Sequence, residues 1–467
     1  MRSGRLRIVA LATATIISAC RSDDERNCAA PTTTWTETSY VKPPVREVPP
    51  EFGTTVAMSA DGATLAVAAF DRGTEESSAG AVFVYQHEGA GWRHDTTLRP
   101  SPPSSAVSFG SSLALSSNGR RLVVTAPYDD SAAPMQPSPS EGSVFVFERE
   151  ASAWKQSTRL TRAKDDPPWR RLGVSLALSG DGARIAVGIM EGSIRTSRGF
   201  GSLRVFDLDS SNGAWMATEV LPPDFGACTC GAHYGAAVAL SSDGKTLVVG
   251  NLGRVPTATG RSGSVTSAGP GQAWVYRLVD GDWRTLQELR STSPIDGGEF
   301  GDVLAISADG RVIAVNASRE DAVHVFREAD GHWTESHRLG TPSPVSRDFG
   351  GSLAVSSDGS QLVVGMPVEP TTAVGTAGSL CAPTEGASNG LVYAFADEGR
   401  SFKAFLRPRV HHRGAAFGLG LAISGDGRTL AVGAPGEDCA ALGVDGDQTD
   451  HSLPNAGAVY LFKDVRP

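Results

Sequence analysis

The sequence has no cluster of basic residues and, after its first twenty residues, no long apolar stretch. A transmembrane helix needs about 20 consecutive apolar residues, so the chain beyond the N-terminus is not expected to cross a membrane in this way. The formal net charge is −9, and no run of Lys and Arg is available to neutralise phosphates. These absences exclude a general nucleic-acid binder.

The composition favours an all-β protein built from many short elements. Glycine is abundant at 54 residues and proline at 28, as expected of a chain with many turns, whereas a coiled coil would contain few of either. A chain of 467 residues is too long for one conventional hydrophobic core. The sequence therefore predicts either several domains or an array of repeats.

The N-terminus has the pattern of an export signal. Arg2, Arg5 and Arg7 form a basic segment, and residues 8–17 form an apolar stretch too short to span a bilayer. The stretch ends in Ile17-Ser18-Ala19-Cys20, which resembles the lipobox of bacterial lipoproteins. In that family the chain is cut before the cysteine, whose thiol then carries diacylglycerol.

The resemblance implies that residues 1–19 are a signal peptide, that Cys20 is the lipid attachment site and that residues 20–33 are a tether. An ordinary secreted protein with a chance cysteine is the alternative. Arg21 follows Cys20, where an Asp marks inner-membrane retention in enteric bacteria. We therefore expect an extracytoplasmic protein, anchored by lipid to the outer membrane or cell surface rather than to the inner membrane.

Seven copies of one motif occupy residues 34–467. Each copy reads aromatic-or-Leu, Gly, two residues, a large–Ala–large triplet, Ser-x-Asp-Gly and an apolar run, and each later contains two more apolar runs. In the second copy Asn118 replaces the Asp. The copies begin at Phe52, Phe109, Leu172, Tyr234, Phe300, Phe349 and Phe417. Four short apolar runs bounded by turn residues predict a four-stranded antiparallel sheet per copy, and radial repetition of such sheets predicts a seven-bladed β-propeller.

The last copy lacks the fourth strand of its predecessors, which is led by Trp in five copies and by Phe402 in the sixth. A segment of that kind, Trp35-Thr36-Glu37-Thr38-Ser39-Tyr40-Val41, instead precedes the first copy. We expect it to complete blade seven and close the ring, which removes the open sheet edge. An open solenoid is the structural alternative.

The last copy resembles the FG-GAP repeat of integrin α-subunit propellers, and still more a bacterial FG-GAP subfamily found on lipoproteins. The resemblance is carried by Phe417-Gly418, Leu421-Ala422-Ile423-Ser424-Gly425-Asp426-Gly427 and Gly433-Ala434-Pro435. It implies a seven-bladed propeller with a binding or adhesive role, and it names no catalytic residue.

The Ser-x-Asp-Gly segments are interpreted as hairpin turns. Ca²⁺ takes about six to eight oxygen ligands, and each of these aspartates stands nearly alone. Gly after Asp tolerates a positive φ, as a tight turn between two strands requires.

The long loops between second and third strands, at 127–141, 251–270, 366–389 and 434–456, are expected on one face of the ring. The last contains Asp445, Asp447 and Asp450, which are candidate Ca²⁺ ligands. A solvated acidic loop is the alternative, and no other cofactor is expected.

The cysteines of the mature chain suggest one pairing. Cys381 and Cys439 occupy equivalent loops of neighbouring blades and are candidates for a disulfide. Cys228 and Cys230 have no second pair at a zinc-ligand spacing, so a zinc site there is not expected.

No catalytic constellation is evident in the sequence. Gly386-Ala387-Ser388-Asn389-Gly390 lacks the strand-to-helix context of a nucleophile elbow, and the nine histidines show no paired-ligand spacing. We therefore expect a non-enzymatic scaffold that binds an unknown protein or polysaccharide through its long loops. A hydrolase or lyase acting in the central channel, where Asp302 is an isolated acidic residue, and a purely structural envelope protein are the alternatives.

Overall fold

The computed structural model describes residues 35–46, 50–70, 80–89, 91–101, 108–129, 141–163, 166, 170–191, 201–220, 233–252, 254–256, 265–267, 269–295, 297–340, 348–368, 389–410, 412 and 414–465. Strands dominate these residues, and the helical element among them is one 3₁₀ turn, Ser318–Glu320. Within this described part, no helix is long and apolar enough to cross a membrane. The predicted lipid attachment site at Cys20 and the tether lie outside it.

Seven four-stranded antiparallel sheets form the ring. The first described strand is β1 (Trp35–Val41), which belongs to the last sheet. The first three blades comprise β2 (Val56–Met58), β3 (Thr64–Ala69), β4 (Ala81–Glu88) and β5 (Gly91–Leu98); β6 (Leu113–Leu115), β7 (Arg121–Ala126), β8 (Ser143–Glu150) and β9 (Ala153–Thr161); and β10 (Arg170–Leu178), β11 (Arg184–Glu191), β12 (Gly201–Asp209) and β13 (Ala214–Val220).

Blades four to six follow the same plan. Blade four comprises β14 (Val238–Leu240), β15 (Thr246–Asn251), β18 (Gln272–Val279) and β19 (Asp282–Leu289), with a small hairpin of β16 (Arg254–Pro256) and β17 (Val265–Ser267) in its long loop. Blades five and six comprise β20 (Phe300–Ile306), β21 (Val312–Ala317), β22 (Ala322–Ala329) and β23 (His332–Gly340); and β24 (Ser352–Val355), β25 (Leu362–Met366), β26 (Leu391–Ala396) and β27 (Ser401–Leu406).

Blade seven confirms the predicted ring closure. It comprises β28 (Leu421–Ile423), β29 (Thr429–Ala434), β30 (Ala458–Asp464) and β1, in the sheet order β1-β30-β29-β28. The two ends of the chain therefore pair, with Trp35 opposite Asp464 and Val41 opposite Val459. Since β1 occupies the fourth-strand position, β30 is not left as an open edge.

The Ser-x-Asp-Gly segments are hairpin turns, and they join the blades as well as the strands. In blade seven the Ser424 hydroxyl lies 2.6 Å from the Asp426 carboxylate and accepts the backbone N–H of Thr429. The second residue of each segment donates its N–H to the carbonyl of the next blade's equivalent residue, over 2.8–3.0 Å, in a cycle through Ala60, Ser117, Gly180, Ser242, Ala308, Ser357 and Gly425 and back to Ala60. The repeated motif thus supplies a closed ring of seven hydrogen bonds.

The core lies between the blades rather than within one of them. Seven buried apolar clusters each combine side chains of neighbouring sheets, such as Leu65 and Phe83 of blade one with Ala431 and Val459 of blade seven. Each blade begins with the aromatic-or-Leu residue and Gly of the motif, at the point where the blade contacts the preceding one. At Gly53, φ is +94°, and a Cβ would lie 2.4 Å from the carbonyl oxygen of Ala458. Glycine is therefore required where blade one meets blade seven.

Candidate functional site

One face of the ring carries both the loops between second and third strands and the connections between blades, because neighbouring strands run antiparallel. On blade seven these segments are 435–457 and 407–420, and both are described almost completely. They are tied together by the N–H of Gly436, which donates to Ala415. The longer loop folds back on itself, since Leu453 donates to the Asp438 carbonyl and Gly457 donates to the Glu437 carbonyl.

Glu437 is a buried anchor at the base of this loop. Its Oε2 lies 2.5 Å from Lys42 Nζ, and the two side chains are 0% and 1% exposed respectively. Its Oε1 accepts the hydroxyl of Tyr40 over 2.7 Å. Burying a carboxylate is costly unless it is paired, and here both oxygens have partners from the N-terminal segment. The first and last parts of the chain therefore fix this loop jointly.

Three titratable side chains converge beside Glu437, and we call them the His–Asp cluster: His412, Asp438 and His451. Asp438 Oδ1 lies 2.5 Å from His412 Nδ1 and 3.0 Å from His451 Nδ1. Their ligand-type atoms all lie within 4.8 Å of one another. The two imidazole rings are in contact, with centroids 4.5 Å apart and planes tilted by 43°.

The charge state of the cluster follows from its hydrogen bonds. Partial burial works to raise the pKa of Asp438, but the hydrogen bonds from His412 and His451 outweigh it and hold that pKa below the ordinary value. An ionised carboxylate only accepts hydrogen bonds, so each ring carries its hydrogen on Nδ1. The Nε2 of His412 is buried and makes no hydrogen bond, and it lies 3.2 Å from Glu437 Oε1.

A polar cavity of about 270 Å³, which we call the rim pocket, adjoins Tyr40. It is lined by Glu37, Thr38, Ser39, Tyr40, Arg409, Asp445, Gly446 and Gln448. β1 supplies one wall, the connection from blade six supplies Arg409, and the acidic loop supplies the remainder. Arg409 donates its backbone N–H to Glu37 Oε2 over 3.0 Å and its guanidinium to the Glu37 carbonyl.

Glu37 is the perturbed group of the rim pocket. Its side chain lies on the face of β1 that packs towards blade six, and the residue is 7% exposed. Burial raises its pKa above the ordinary value, the Asp445 carboxylate acts in the same direction, and Arg409 and Gln448 oppose them. Asp445 and Arg409 are exposed, so the pocket opens to solvent. A buried acid beside a second carboxylate in a cleft is a feature typical of catalytic sites.

The three predicted Ca²⁺ ligands are placed separately. Asp445 accepts the N–H of Tyr40 over 2.8 Å and faces the rim pocket. Asp447 and Asp450 accept the N–H groups of Thr449 and Ser452, two residues further along. Among the described residues, these carboxylates do not meet as a ligand group, whereas the His–Asp cluster in the same loop does. The Ca²⁺ site stays a prediction.

The other predicted site residues are largely beyond the described ranges. Cys439 is buried and its thiol donates to the carbonyl of Asp447 over 3.1 Å. Its predicted partner Cys381, like Cys228, Cys230 and Ser388, lies outside the described residues, so the disulfide stays a prediction. Asp302 is described, and its Oδ2 accepts the hydroxyl of Ser318.

Sequence reasoning missed Glu37, His412 and His451. His412 precedes Asp438 by 26 residues and sits on an inter-blade connection, so no linear spacing indicates the cluster. Glu37 lies in the strand predicted to close the ring. The signal that could have found it is an acidic residue at a position of that strand whose side chain is expected to be buried. Asp438, Asp445 and His451 lie in the acidic loop 434–456 that the sequence had indicated, but only Asp445 was a predicted site residue.

A second buried charged group lies in blade five, away from this face's pocket. His324 of β22 is fully buried, with Nδ1 2.9 Å from Glu335 and Nε2 3.2 Å from Glu320. Burial works to lower its pKa, but the hydrogen bonds to the two glutamates outweigh burial and raise that pKa above the ordinary value. Since His324 is enclosed by strands, we interpret this group as structural.

No protein-family model matches the sequence, and a search of curated proteins finds no match. Solved structures do resemble it. A periplasmic gluconolactonase from Pseudomonas aeruginosa is 18% identical, with a TM-score of 0.46, 84% of this chain and 97% of that chain covered. A candidate 6-phosphogluconolactonase from Bacteroides fragilis is 16% identical, with a TM-score of 0.47 and coverage of 84% and 93%. The WD40 repeats of RRP9 are 10% identical, with a TM-score of 0.49 and coverage of 93% and 99%.

These comparisons contradict the predicted non-enzymatic binding scaffold. Two of the three proteins carry the names of lactonases, so the alternative of a propeller hydrolase agrees with the comparisons better. The prediction that the chain is not an enzyme is contradicted by the same two names. It rested on the absence of a linear catalytic motif, which a site assembled from distant segments does not need. At these identities the likeness shows the propeller fold alone, so a reaction has to be argued from the residues of this chain.

Proposed function

We propose that this protein is a hydrolase that cleaves a C–O bond in a small, hydroxyl-rich substrate at the rim pocket. The observation that carries the proposal is the pairing of Glu37, whose pKa is raised by burial, with the exposed carboxylate of Asp445 in one cavity beside Arg409. A cavity of about 270 Å³ accommodates a molecule of monosaccharide size. Its lining is polar, which suits a substrate that bears hydroxyl groups.

The two carboxyl groups are suited to opposite roles. Protonated Glu37 is the general acid: it donates its proton to the leaving oxygen as the C–O bond breaks. Asp445 is the general base: it takes a proton from the water whose oxygen forms the new bond to carbon. Arg409 supplies a fixed positive charge for the oxygen on which negative charge develops. Two carboxyl groups in different environments have different pKa values, so one can be protonated while the other is ionised at the same pH.

The proposal is tested by hydrolysis assays on the purified mature protein. A suitable panel is gluconolactone, 6-phosphogluconolactone, p-nitrophenyl acetate and p-nitrophenyl glycosides, the first two chosen because of the names of the compared propellers. With the best substrate, E37Q and D445N should each lower kcat about 10²–10⁴-fold, the usual contribution of a general acid or base. The rate should fall on the alkaline side as Glu37 loses its proton, and E37Q should abolish this alkaline limb.

The matched control is D447N, which changes an exposed carboxylate of the same loop that does not line the pocket. It should retain wild-type kcat and KM. Equal activity of E37Q, D445N and D447N would refute the assignment, as would the absence of hydrolysis across the panel.

We also propose that the enzyme is lipid-anchored outside the cytoplasm through Cys20 and that its blades are divergent FG-GAP repeats. The lipobox-like Ile17-Ser18-Ala19-Cys20 and the motifs of the seventh copy support this. Metabolic labelling with a palmitate analogue should mark the wild-type protein and not C20A, and the label should fractionate with outer membranes. Equal labelling of both proteins would contradict the anchor. Alignment of a profile of the seven copies with FG-GAP repeats tests the second part.

A further inference from the structure

We propose that His412, Asp438 and His451 form a binding site for a divalent transition metal of the Zn²⁺ class. Each contributes one ligand atom, and these atoms already lie within 4.8 Å of one another. Two imidazole nitrogens and one carboxylate oxygen are a common protein ligand set for zinc, with water in the fourth position. This site is separate from the rim pocket, because none of the three residues lines that cavity.

The geometry needs only a small adjustment. Zn–N and Zn–O bonds of about 2.0–2.2 Å in a tetrahedron place ligand atoms roughly 3.3 Å apart. The Nδ1 atoms of His412 and His451 now lie 2.5 and 3.0 Å from Asp438 Oδ1, so each has to move outward by less than an ångström. His451 is 49% exposed, which leaves a path for the ion and a position for the water.

The second argument is the Nε2 atom of His412, which is buried and makes no hydrogen bond. With its hydrogen on Nδ1, the ring has its Nε2 buried without a hydrogen bond, 3.2 Å from the Glu437 carboxylate. A metal at Nδ1 requires the other tautomer, in which that hydrogen sits on Nε2, and the ring has to rotate to align this N–H with Glu437 Oε1, 3.2 Å away. A ligating histidine that donates its second N–H to a carboxylate is the usual outer-shell arrangement of metal sites. The metal-bound tautomer thus gives this buried nitrogen a hydrogen to donate to a carboxylate oxygen 3.2 Å away, which the metal-free tautomer cannot use.

Glu437, the carboxylate beside His412 Nε2, is held in place before any metal binds. Glu437 cannot turn away from His412, because Lys42 and Tyr40 hold its two oxygens. The local formal charge also favours a cation, since two carboxylates, Glu437 and Asp438, stand against one lysine, Lys42. Imidazole nitrogen suits Zn²⁺, Ni²⁺, Co²⁺ and Cu²⁺, whereas Ca²⁺ and Mg²⁺ prefer oxygen ligands. We therefore expect transition-metal selectivity, in contrast to the Ca²⁺ predicted for the aspartates of the same loop.

The test is isothermal titration of the chelator-treated mature protein with ZnCl₂, with CaCl₂ and MgCl₂ as comparison ions. One equivalent of Zn²⁺ should bind, and Co²⁺ should give the visible absorption of a tetrahedral site. H451A removes an exposed ligand and D438N removes the carboxylate charge at constant size, and each should weaken Zn²⁺ binding about 100-fold or more, beyond the 10–100-fold typical of an outer-shell change. H332A changes an exposed histidine in blade five and should leave the affinity unchanged.

Two results would overturn the proposal. One is the absence of Zn²⁺ heat and of a Co²⁺ spectrum at millimolar metal in a protein that is folded by circular dichroism. The other is binding that H451A and D438N leave at wild-type strength, as expected if cysteines held the ion instead. Substrate is not needed for either measurement, so the metal site stands or fails independently of the proposed hydrolase.

Discussion

Removal of the Lys42 charge is expected to destabilise the whole ring. Lys42 and Glu437 are 1% and 0% exposed, with Nζ and Oε2 2.5 Å apart, so K42M leaves a buried carboxylate with Tyr40 as its remaining side-chain donor. Loss of one partner of a buried ion pair costs about 3–5 kcal/mol, against the roughly 0–1 kcal/mol of an exposed pair. The free energy of unfolding is measured by equilibrium urea denaturation followed through the fluorescence of the chain's eight tryptophans, one of which, Trp35, lies in the adjoining strand.

Two further variants separate charge burial from general damage. R93M, on β5, breaks an exposed pair with Glu88 of β4 and should leave the urea midpoint unchanged. Replacing the polar trio together, as Y40F/K42M/E437M, should recover most of the loss, because a buried ion pair replaced by apolar groups of similar volume is often neutral. A loss below about 1 kcal/mol in K42M would refute the reasoning, since the pair would then behave as a surface pair.

Two other predictions concern ring closure and blade five. Deletion of residues 35–41 removes the fourth strand of blade seven and exposes the edge of β30. Calorimetry should then show a much lower melting temperature, and size-exclusion chromatography should show association of the protein. An unchanged melting temperature would exclude closure by β1. His324 has a raised pKa, so its contribution is fully present below the ordinary histidine value of 6.5 and is lost as pH rises through the folded pKa. The stability difference between wild type and H324Q should therefore shrink from pH 6 to pH 9 in urea titrations, and a constant difference would contradict the charged triad.

The fold was predictable because local chemistry repeats along the chain. Each Ser-x-Asp-Gly turn is fixed by its own side-chain hydrogen bonds, such as those of Ser424 and Asp426, and these need no long-range information. The missing fourth strand of the last copy indicated closure by the segment at Trp35. The β16–β17 hairpin was not predicted, because the loop that contains it has no counterpart of similar sequence in the other blades. The closed ring of turn-to-turn hydrogen bonds also depends on three-dimensional placement.

The candidate sites were much less predictable, because they join segments far apart in the chain. His412 and His451 meet at Asp438 only after the loop has folded back through the bond from Leu453 to the Asp438 carbonyl. Neither histidine has a ligand at a recognisable linear spacing. The raised pKa of Glu37 is a property of its burial, which exists only once β1 has docked. The acidic loop was correctly indicated as a region of interest, but its charge pattern drew attention to Asp447 and Asp450 rather than to Asp438.

Ring closure and site assembly are one event in this protein. Lys42 and Tyr40 enter with β1, and they neutralise and fix Glu437 in the loop that presents Asp438 and His451. The same strand brings Glu37 to Asp445, whose carboxylate accepts the Tyr40 N–H. The residues that build the two sites lie in the two ends of the chain or in the connection to blade seven. The other six blades can therefore be formed without either site. A chain that has not closed its ring therefore lacks both the proposed acid–base pair and the fixed carboxylate beside His412, and the proposed chemistry requires the completely folded propeller.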